Sequence, residues 1–248
     1  MALTMLGSAA EVLVATGHDP FARGSLRRPT ARGWLGGPAV GWMGTDAHPG
    51  GETYFSALGP PAEVGALVAD LLGELPPGQR MTLPRGTVAH LPAWVSVDAT
   101  EWDFRWLGAP PPHQPGEDLV EDLRDDEEVR RLLVAGSPTA SALPGDPAVR
   151  RWVGIRDRGE LVACAADTSA ATGVGHLSSI AVHPEARGRR LGSVVTAALS
   201  RRLFAQGCDL VTLGMYATNT HGRAMYDGLG FADQHRFSSG PLLVRGRW

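Results

Sequence analysis

The chain has 248 residues, room for one large domain or two small ones. Hydrophobic residues make up 43% and charged residues 20%, so a core can form, and the net charge of -3 argues against nucleic acid or an anionic membrane as a partner, since both want a basic excess. All 23 basic residues are arginine, which excludes lysine nucleophiles, Schiff bases and P-loop lysines and leaves arginine to hold any anion.

The opening MALTMLGSAAEVLVATG has no basic residue ahead of its short apolar run, and no stretch reaches the ~20 apolar residues of a membrane span. Neither export nor membrane anchoring is expected, and a cytoplasmic location is. Val64, Leu67, Val68, Leu71, Leu72 and Leu75 then repeat at the spacing of one helical face between Pro60-Pro61 and Pro76-Pro77, which predicts a helix. Thr53 to Leu58, Arg80 to Leu83 and Trp102 to Trp106 are short and strand-like, so the first lobe reads as α/β. Trp34, Trp42, Trp94, Trp102 and Trp106 fall in this lobe and are expected to fill its core.

The proline-rich run GAPPPHQPGED, residues 108–118, can continue neither a helix nor a central strand. It is taken as a linker between a lobe at 1–107 and a domain at 119–248. After it, the acidic run Asp125 to Glu128 opens a helix carrying Val129, Leu132 and Leu133. Arg151 to Ile155 and Leu161 to Ala166 form a hairpin across Asp157-Arg158-Gly159-Glu160. His176 to Val182 is a strand leading through HPEARGRRLG into a helix from Gly192 to Ala205, with Val195, Ala198, Leu199 and Leu203 as its buried stripe. Leu210 to Tyr216 is a strand, His221 to Leu229 a helix, and Gly230-Phe231 starts the last strands. Cys164 and Cys208 lie in apolar stretches without metal-ligand spacing and are expected to be buried free thiols; no metal site is expected.

The junction Arg187-Gly188-Arg189-Arg190-Leu191-Gly192-Ser193 gathers backbone amides, a helix amino terminus and three guanidinium groups. Helix dipoles and charge-assisted hydrogen bonds stabilise anions there, so a diphosphate ligand is expected. The segment resembles the acetyl-coenzyme A loop of the GNAT superfamily of N-acetyltransferases: Arg or Gln, two variable residues, Gly, one variable residue, then Gly or Ala. Arg187 and Gly192 match the ends, and Arg190 stands where the family usually has glycine. A second block, NTHGRAMYDGLGF from Asn219 to Phe231, resembles the family pattern of Asn, then Tyr seven residues later, then Gly-Phe.

The resemblance implies a mixed, mostly antiparallel sheet flanked by helices in the carboxy-terminal domain, preceded by a smaller α/β lobe read as a degenerate acetyltransferase-like copy. It implies that acetyl-CoA is the cosubstrate and that an acetyl group passes to a primary amine of a small molecule or peptide by direct attack in a ternary complex. Cofactor contacts are implied for Ile180, Ala181, Val182, Arg187, Gly188, Arg189, Arg190, Leu191, Gly192, Ser193, Asn219 and Arg223, and the acid that protonates the leaving thiolate for Tyr226. His176 is the candidate base, standing where some members of the family place a glutamate. The acceptor is expected near the loop around Gly136 to Asp146, and a homodimer is compatible with the sequence. The rival reading is a non-catalytic acyl-CoA sensor or scaffold.

Overall fold

The computed structural model describes residues 3–26, 31–45, 53–231 and 233–244. They form two compact units. One comprises Met1–Phe104, Tyr216–Thr218 and His235–Trp248; the other comprises Arg105–Met215 and Asn219–Gln234. Residues 108–118 thus lie inside the second unit, and the final strand belongs from His235 onward to the first.

The first unit opens with β1 (Thr4–Leu6), α1 (Ala9–Ala15) and α2 (Pro20–Ser25). Both helices are capped locally: Ser8 Oγ accepts the Glu11 amide at 3.2 Å, and Asp19 accepts that of Phe21 at 2.8 Å. Then come β2 (Arg32–Gly36), β3 (Ala39–Thr45), β4 (Thr53–Leu58), α3 (Pro61–Asp70), β5 (Arg80–Pro84), β6 (Val95–Val97) and β7 (Thr100–Leu107), the last crossing into the second unit. The expected apolar helix is α3, but it stops at Asp70 rather than running on to Leu75. Gly73 weakens the helix and Leu75 precedes a proline, which disfavours helical backbone. Leu71 and Leu75 are nonetheless buried, from the turns that follow. Of the five tryptophans only Trp34 and Trp42 are fully buried; Trp94, Trp102 and Trp106 are half-buried. Trp102 packs on Phe237 at 5.2 Å between ring centroids while its Nε1 donates to Ser239 Oγ, so its polar edge is satisfied.

The second unit contains β8 (Glu121–Leu123), α4 (Asp126–Gly136), β9 (Arg151–Asp157), β10 (Glu160–Asp167), β11 (Val174–Val182), α5 (Leu191–Ala205), β12 (Leu210–Tyr216) and α6 (Thr220–Gly228). The chain closes with the single strand β13 (Asp233–Val244), which pairs with β5 and β6. Asp125 caps α4 by accepting the amides of Glu127 and Glu128 at 2.9 and 3.2 Å. Asp125→Ala should therefore lower the unfolding free energy by about 1 kcal/mol in a urea melt. Arg156 on β9 donates to Glu121 of β8 at 2.7 Å and to Glu128 of α4 at 3.0 Å, joining strand edge to helix and holding the Glu128 carboxyl below its usual range.

Alternation along β9 and β10 sorts the two faces of this sheet. Val153, Ile155, Ala163 and Ala165 pack under α5, whereas Trp152, Cys164 and Ala166 pack under α4. The α5 stripe is wider than expected: Val194 through Ser200 are all buried, because alanine and serine let the helix sit close to the sheet. Arg201 and Arg202 leave it to hold the preceding segment, Arg201 on the Pro111 carbonyl and Arg202 on Asp122.

The two units repeat one topology. In the first, strand order β1-β2-β3-β4-β5 is antiparallel except for the parallel pair β4–β5 joined by α3. In the second, order β8-β9-β10-β11-β12 is antiparallel except for the parallel pair β11–β12 joined by α5. They differ at the turn into the crossover helix. In the first unit it is Gly59-Pro60 running into Pro61, where two prolines remove amide donors; in the second it is the longer arginine- and glycine-rich segment from His183 to Arg190.

Candidate functional site

The parallel ladder of the second unit opens at one end. β11 and β12 pair from Val174–Leu210 to Leu177–Leu213, and the pairing stops there although both strands continue. A bulge in β11 is the local cause. Ser179 has φ +50, and the β10–β11 register shifts between Cys164 and Ala166. The Ser179 hydroxyl accepts the Ala142 amide at 2.9 Å and donates to the Ala142 carbonyl at 2.8 Å, which fastens the loop after α4 to the bulge.

Past the bulge, His183 N–H donates to the Val162 carbonyl of the β10 side. Alternation then turns the backbone groups of Ala181 toward β10 and those of Ile180 and Val182 toward the open side. Gly136, at the end of α4, lies against Val182, where a Cβ would come within 2.7 Å of the carbonyl oxygen.

From Val182 the chain makes a short 3-10 turn, Pro184–Ala186, and reaches α5 through Gly188 at φ +78 and Arg190 at φ +61. Left-handed backbone costs a non-glycine residue about 1–2 kcal/mol, which is the physical reason for a glycine preference at the Arg190 position. No side chain caps α5, so the amides of its first turn, Leu191, Gly192 and Ser193, are left for an outside acceptor. Gly192 also admits α6: a Cβ there would stand 2.9 Å from Met225 Sδ.

The three loop arginines part company. Arg187 donates to the Gly136 carbonyl at 3.2 Å, which leaves its charge uncompensated. Arg189 pairs with Asp157 at 2.6 Å and lowers that carboxyl below its ordinary range. Arg190 is exposed, and its side chain makes no ion pair or hydrogen bond among the described residues. Two net positive charges and an uncapped helix terminus thus lie beside the open strand edge. That donor set suits a diphosphate.

Asn219 caps α6 through Oδ1, which accepts the Gly222 amide at 2.8 Å. Arg223 donates to Gln234 at 3.4 Å. One turn further on, Tyr226 is 6% exposed and shares an apolar cluster with Ile180, Val182, Leu191 and Met225. Its phenol makes no hydrogen bond among the described residues, and burial pushes its pKa up to about 12. Such a group stays protonated and able to donate at neutral pH.

His176 lies elsewhere. It sits in the paired part of the ladder, about 20 Å along β11 from Val182 at ~3.3 Å per residue. Thr212 Oγ1 donates to the Gly175 carbonyl at 2.9 Å and stands 2.7 Å from His176 Nδ1, so Nδ1 carries the proton toward Thr212. The structure therefore sets the α5 amino terminus against Val182 and Met225, with Tyr226 the next residue of α6 in the same apolar cluster as Ile180, and keeps His176 in the paired part of the ladder. Cys164 is buried and its thiol is pushed up to about 12 by desolvation. Cys208, expected to be buried, is half-buried at the end of α5 and its thiol is also raised, by burial and then by Asp167 and Asp209. Neither offers a thiolate. No group of three or more His, Cys, Asp or Glu among the described residues has a metal-binding arrangement, and no helix among them is long and apolar enough to cross a membrane.

The sequence reading missed Ser179, and it named Gly136 only as the start of the acceptor loop, not for its close packing on Val182. A serine inside a strand carries no local sign of a bulge.

Residues 105–231 match the family described as Acetyltransferase (GNAT) family. The chain is 29% identical to a protein named mycothiol acetyltransferase from Beutenbergia cavernae over 248 residues, spanning 92% of this chain and 74% of the relative. It is similar in fold to a GCN5-related N-acetyltransferase from Kribbella flavida (TM-score 0.52, 19% identity, 95% of this chain and 96% of that one). It is similar in the same way to one from Sphaerobacter thermophilus (TM-score 0.54, 13% identity, 98% and 95%). With the family match covering the second unit and fold similarity extending over both, the chain belongs to the GNAT family of acetyltransferases and is an acetyl-CoA-dependent acyltransferase.

Proposed function

We propose that the second unit transfers the acetyl group of acetyl-CoA to a primary amine by direct attack in a ternary complex. The observation that carries this reading is the uncapped α5 terminus, with Arg187 and Arg190 beside it, opening onto the unpaired edge of β11 next to Tyr226. The diphosphate binds at the α5 amides and the two arginines. The arm lies along the Ile180 and Val182 backbone, where an amide donates to the thioester oxygen as negative charge develops on it. The amine nitrogen attacks the carbonyl carbon, the carbon–sulfur bond breaks, and the Tyr226 proton moves to the departing sulfur. With both cysteines held as thiols, attack without an acyl-enzyme is the simpler course. An acceptor that arrives as an ammonium ion loses one proton through water before attack, since His176 is engaged with Thr212 in the paired part of the ladder; the second proton leaves the nitrogen after the bond to carbon forms.

The named relative makes a mycothiol-type amine the first acceptor to try. Incubated with acetyl-CoA and a panel of primary amines headed by that one, the protein should release one free thiol per N-acetylated product. Tight acetyl-CoA binding without thiol release across the panel would instead favour the sensor reading. The prolines at Gly59-Pro60-Pro61 support a cofactor site in the second unit alone.

A further inference from the structure

Arg105 is a buried charge that the transfer chemistry leaves unused. It stands on β7 with 2% exposure, and a guanidinium so placed is costly unless its donors are met. Nη2 pairs with Asp227, but Nε and Nη1 have no hydrogen-bond partner among the described residues. Asp227 is itself 53% exposed, so solvent screens the one counterion and the cation is incompletely neutralised.

Its location gives that charge something to act on. Asp227 follows Tyr226 directly on α6. Leu107, on the same face of β7 as Arg105, shares an apolar cluster with Tyr226, Leu229 and Phe231, and a Cβ on Gly230 would touch Leu107 at 3.4 Å. The face of β7 that carries Arg105 is thus packed against the last turn of α6 and the turn that follows it.

We propose that Arg105 is a positioning residue of acetyl transfer: tethered through Asp227, its guanidinium fixes the last turn of α6 and stabilises the negative charge left on the Tyr226 oxygen. This rests on the reading of Tyr226 as the acid. As the carbon–sulfur bond breaks, its electron pair goes to sulfur, the Tyr226 O–H proton follows, and a phenolate and a free thiol result. The phenolate recovers a proton from the newly acylated nitrogen. Burial opposes the phenolate, and the field of Arg105 works against that penalty. Two unpartnered donors beside the tyrosine are then a reserve of positive potential rather than a packing defect.

The test isolates Tyr226 spectroscopically. With Tyr54 and Tyr216 changed to Phe, Tyr226 is the remaining one of three tyrosines, and replacing it biosynthetically by 3-fluorotyrosine brings its ionisation into the range where the protein is folded. Arg105→Met should raise the phenolate absorbance midpoint by about one pH unit, and Arg105→Lys should restore part of the shift. Asp227→Asn, a change at an exposed side chain, should move the midpoint down and serves if Arg105→Met does not fold. With acetyl-CoA and hydroxylamine as a small acceptor, Arg105→Met should lower kcat about tenfold when Tyr226 is present and not at all in Tyr226→Phe. An unmoved midpoint in folded variants, or an equal fall in both backgrounds, overturns the proposal and leaves Tyr226 as the acid. An unchanged rate in Tyr226→Phe alone overturns the acid role, and this proposal with it.

Discussion

Tyr226→Phe should lower kcat by about two to three orders of magnitude while leaving the dissociation constant of acetyl-CoA unchanged. The substitution removes one oxygen from a side chain that is 6% exposed, and the ring keeps its edge-on contact with Phe231 at 5.8 Å. Folding and cofactor binding therefore have little to lose. The reaction loses the proton that neutralises the thiolate, so kcat and kcat/KM should fall together, the pattern of an interaction made in the transition state. The pH dependence follows from the direction of the shift. A phenol pushed up to about 12 is protonated throughout the neutral and mildly alkaline range, so the parent rate should show no alkaline fall from this group below about pH 10. It should rise with pH as the acceptor amine loses its proton. Stopped assays of thiol release across pH 6 to 10 check both points.

Arg190→Glu should weaken acetyl-CoA binding by about 10- to 100-fold. Two effects add: a cation near the diphosphate is lost, and an anion is placed at the positive end of α5. Arg190→Gly separates charge from backbone. Glycine adopts φ +61 without strain, so this variant should be more stable than the parent by roughly 0.5–1 kcal/mol, keep the α5 amides in place, and lose only the arginine's share of the binding. Thermal melts and binding titrations on the pair measure the two contributions independently. A more stable Arg190→Gly with weaker binding would mean that a residue in strained backbone is retained for its charge.

Local signals carried much of the second unit. The strand from Leu210 to Tyr216, the Asp125 cap of α4 and the Asp157-to-Glu160 turn all depend on neighbours in sequence, and the structure has them where apolar spacing and capping chemistry put them. The α5 amino terminus was legible for the same reason, since strand, arginine-glycine turn and helix follow one another along the chain. The open end of the β11–β12 ladder was not. It depends on a positive φ at Ser179 and on a register shift against β10, and neither leaves a trace in residue type. His176 shows the consequence. Counting back from Val182 takes no account of where β12 stops pairing, and the ladder holds His176 in its paired part, opposite Thr212 and one pair before the opening.

The first unit was harder to read because β1, α1 and α2 are short, and glycines at 33, 36, 41 and 44 interrupt the apolar pattern of β2 and β3. Its kinship with the second unit lies in strand order rather than in motif. The shared parallel pair and crossover helix appear only once pairing is known. What separates the units chemically is one turn, two prolines in the first against uncapped amides and arginines in the second.

Calorimetric titration of the full chain with coenzyme A tests that difference most directly. One molecule should bind per chain, with binding weakened at least tenfold in Arg190→Glu and unchanged when Gly59 and Pro60 are replaced. Two equivalent sites per chain, or Arg190→Glu binding as tightly as the parent, would contradict a single cofactor site at the amino terminus of α5.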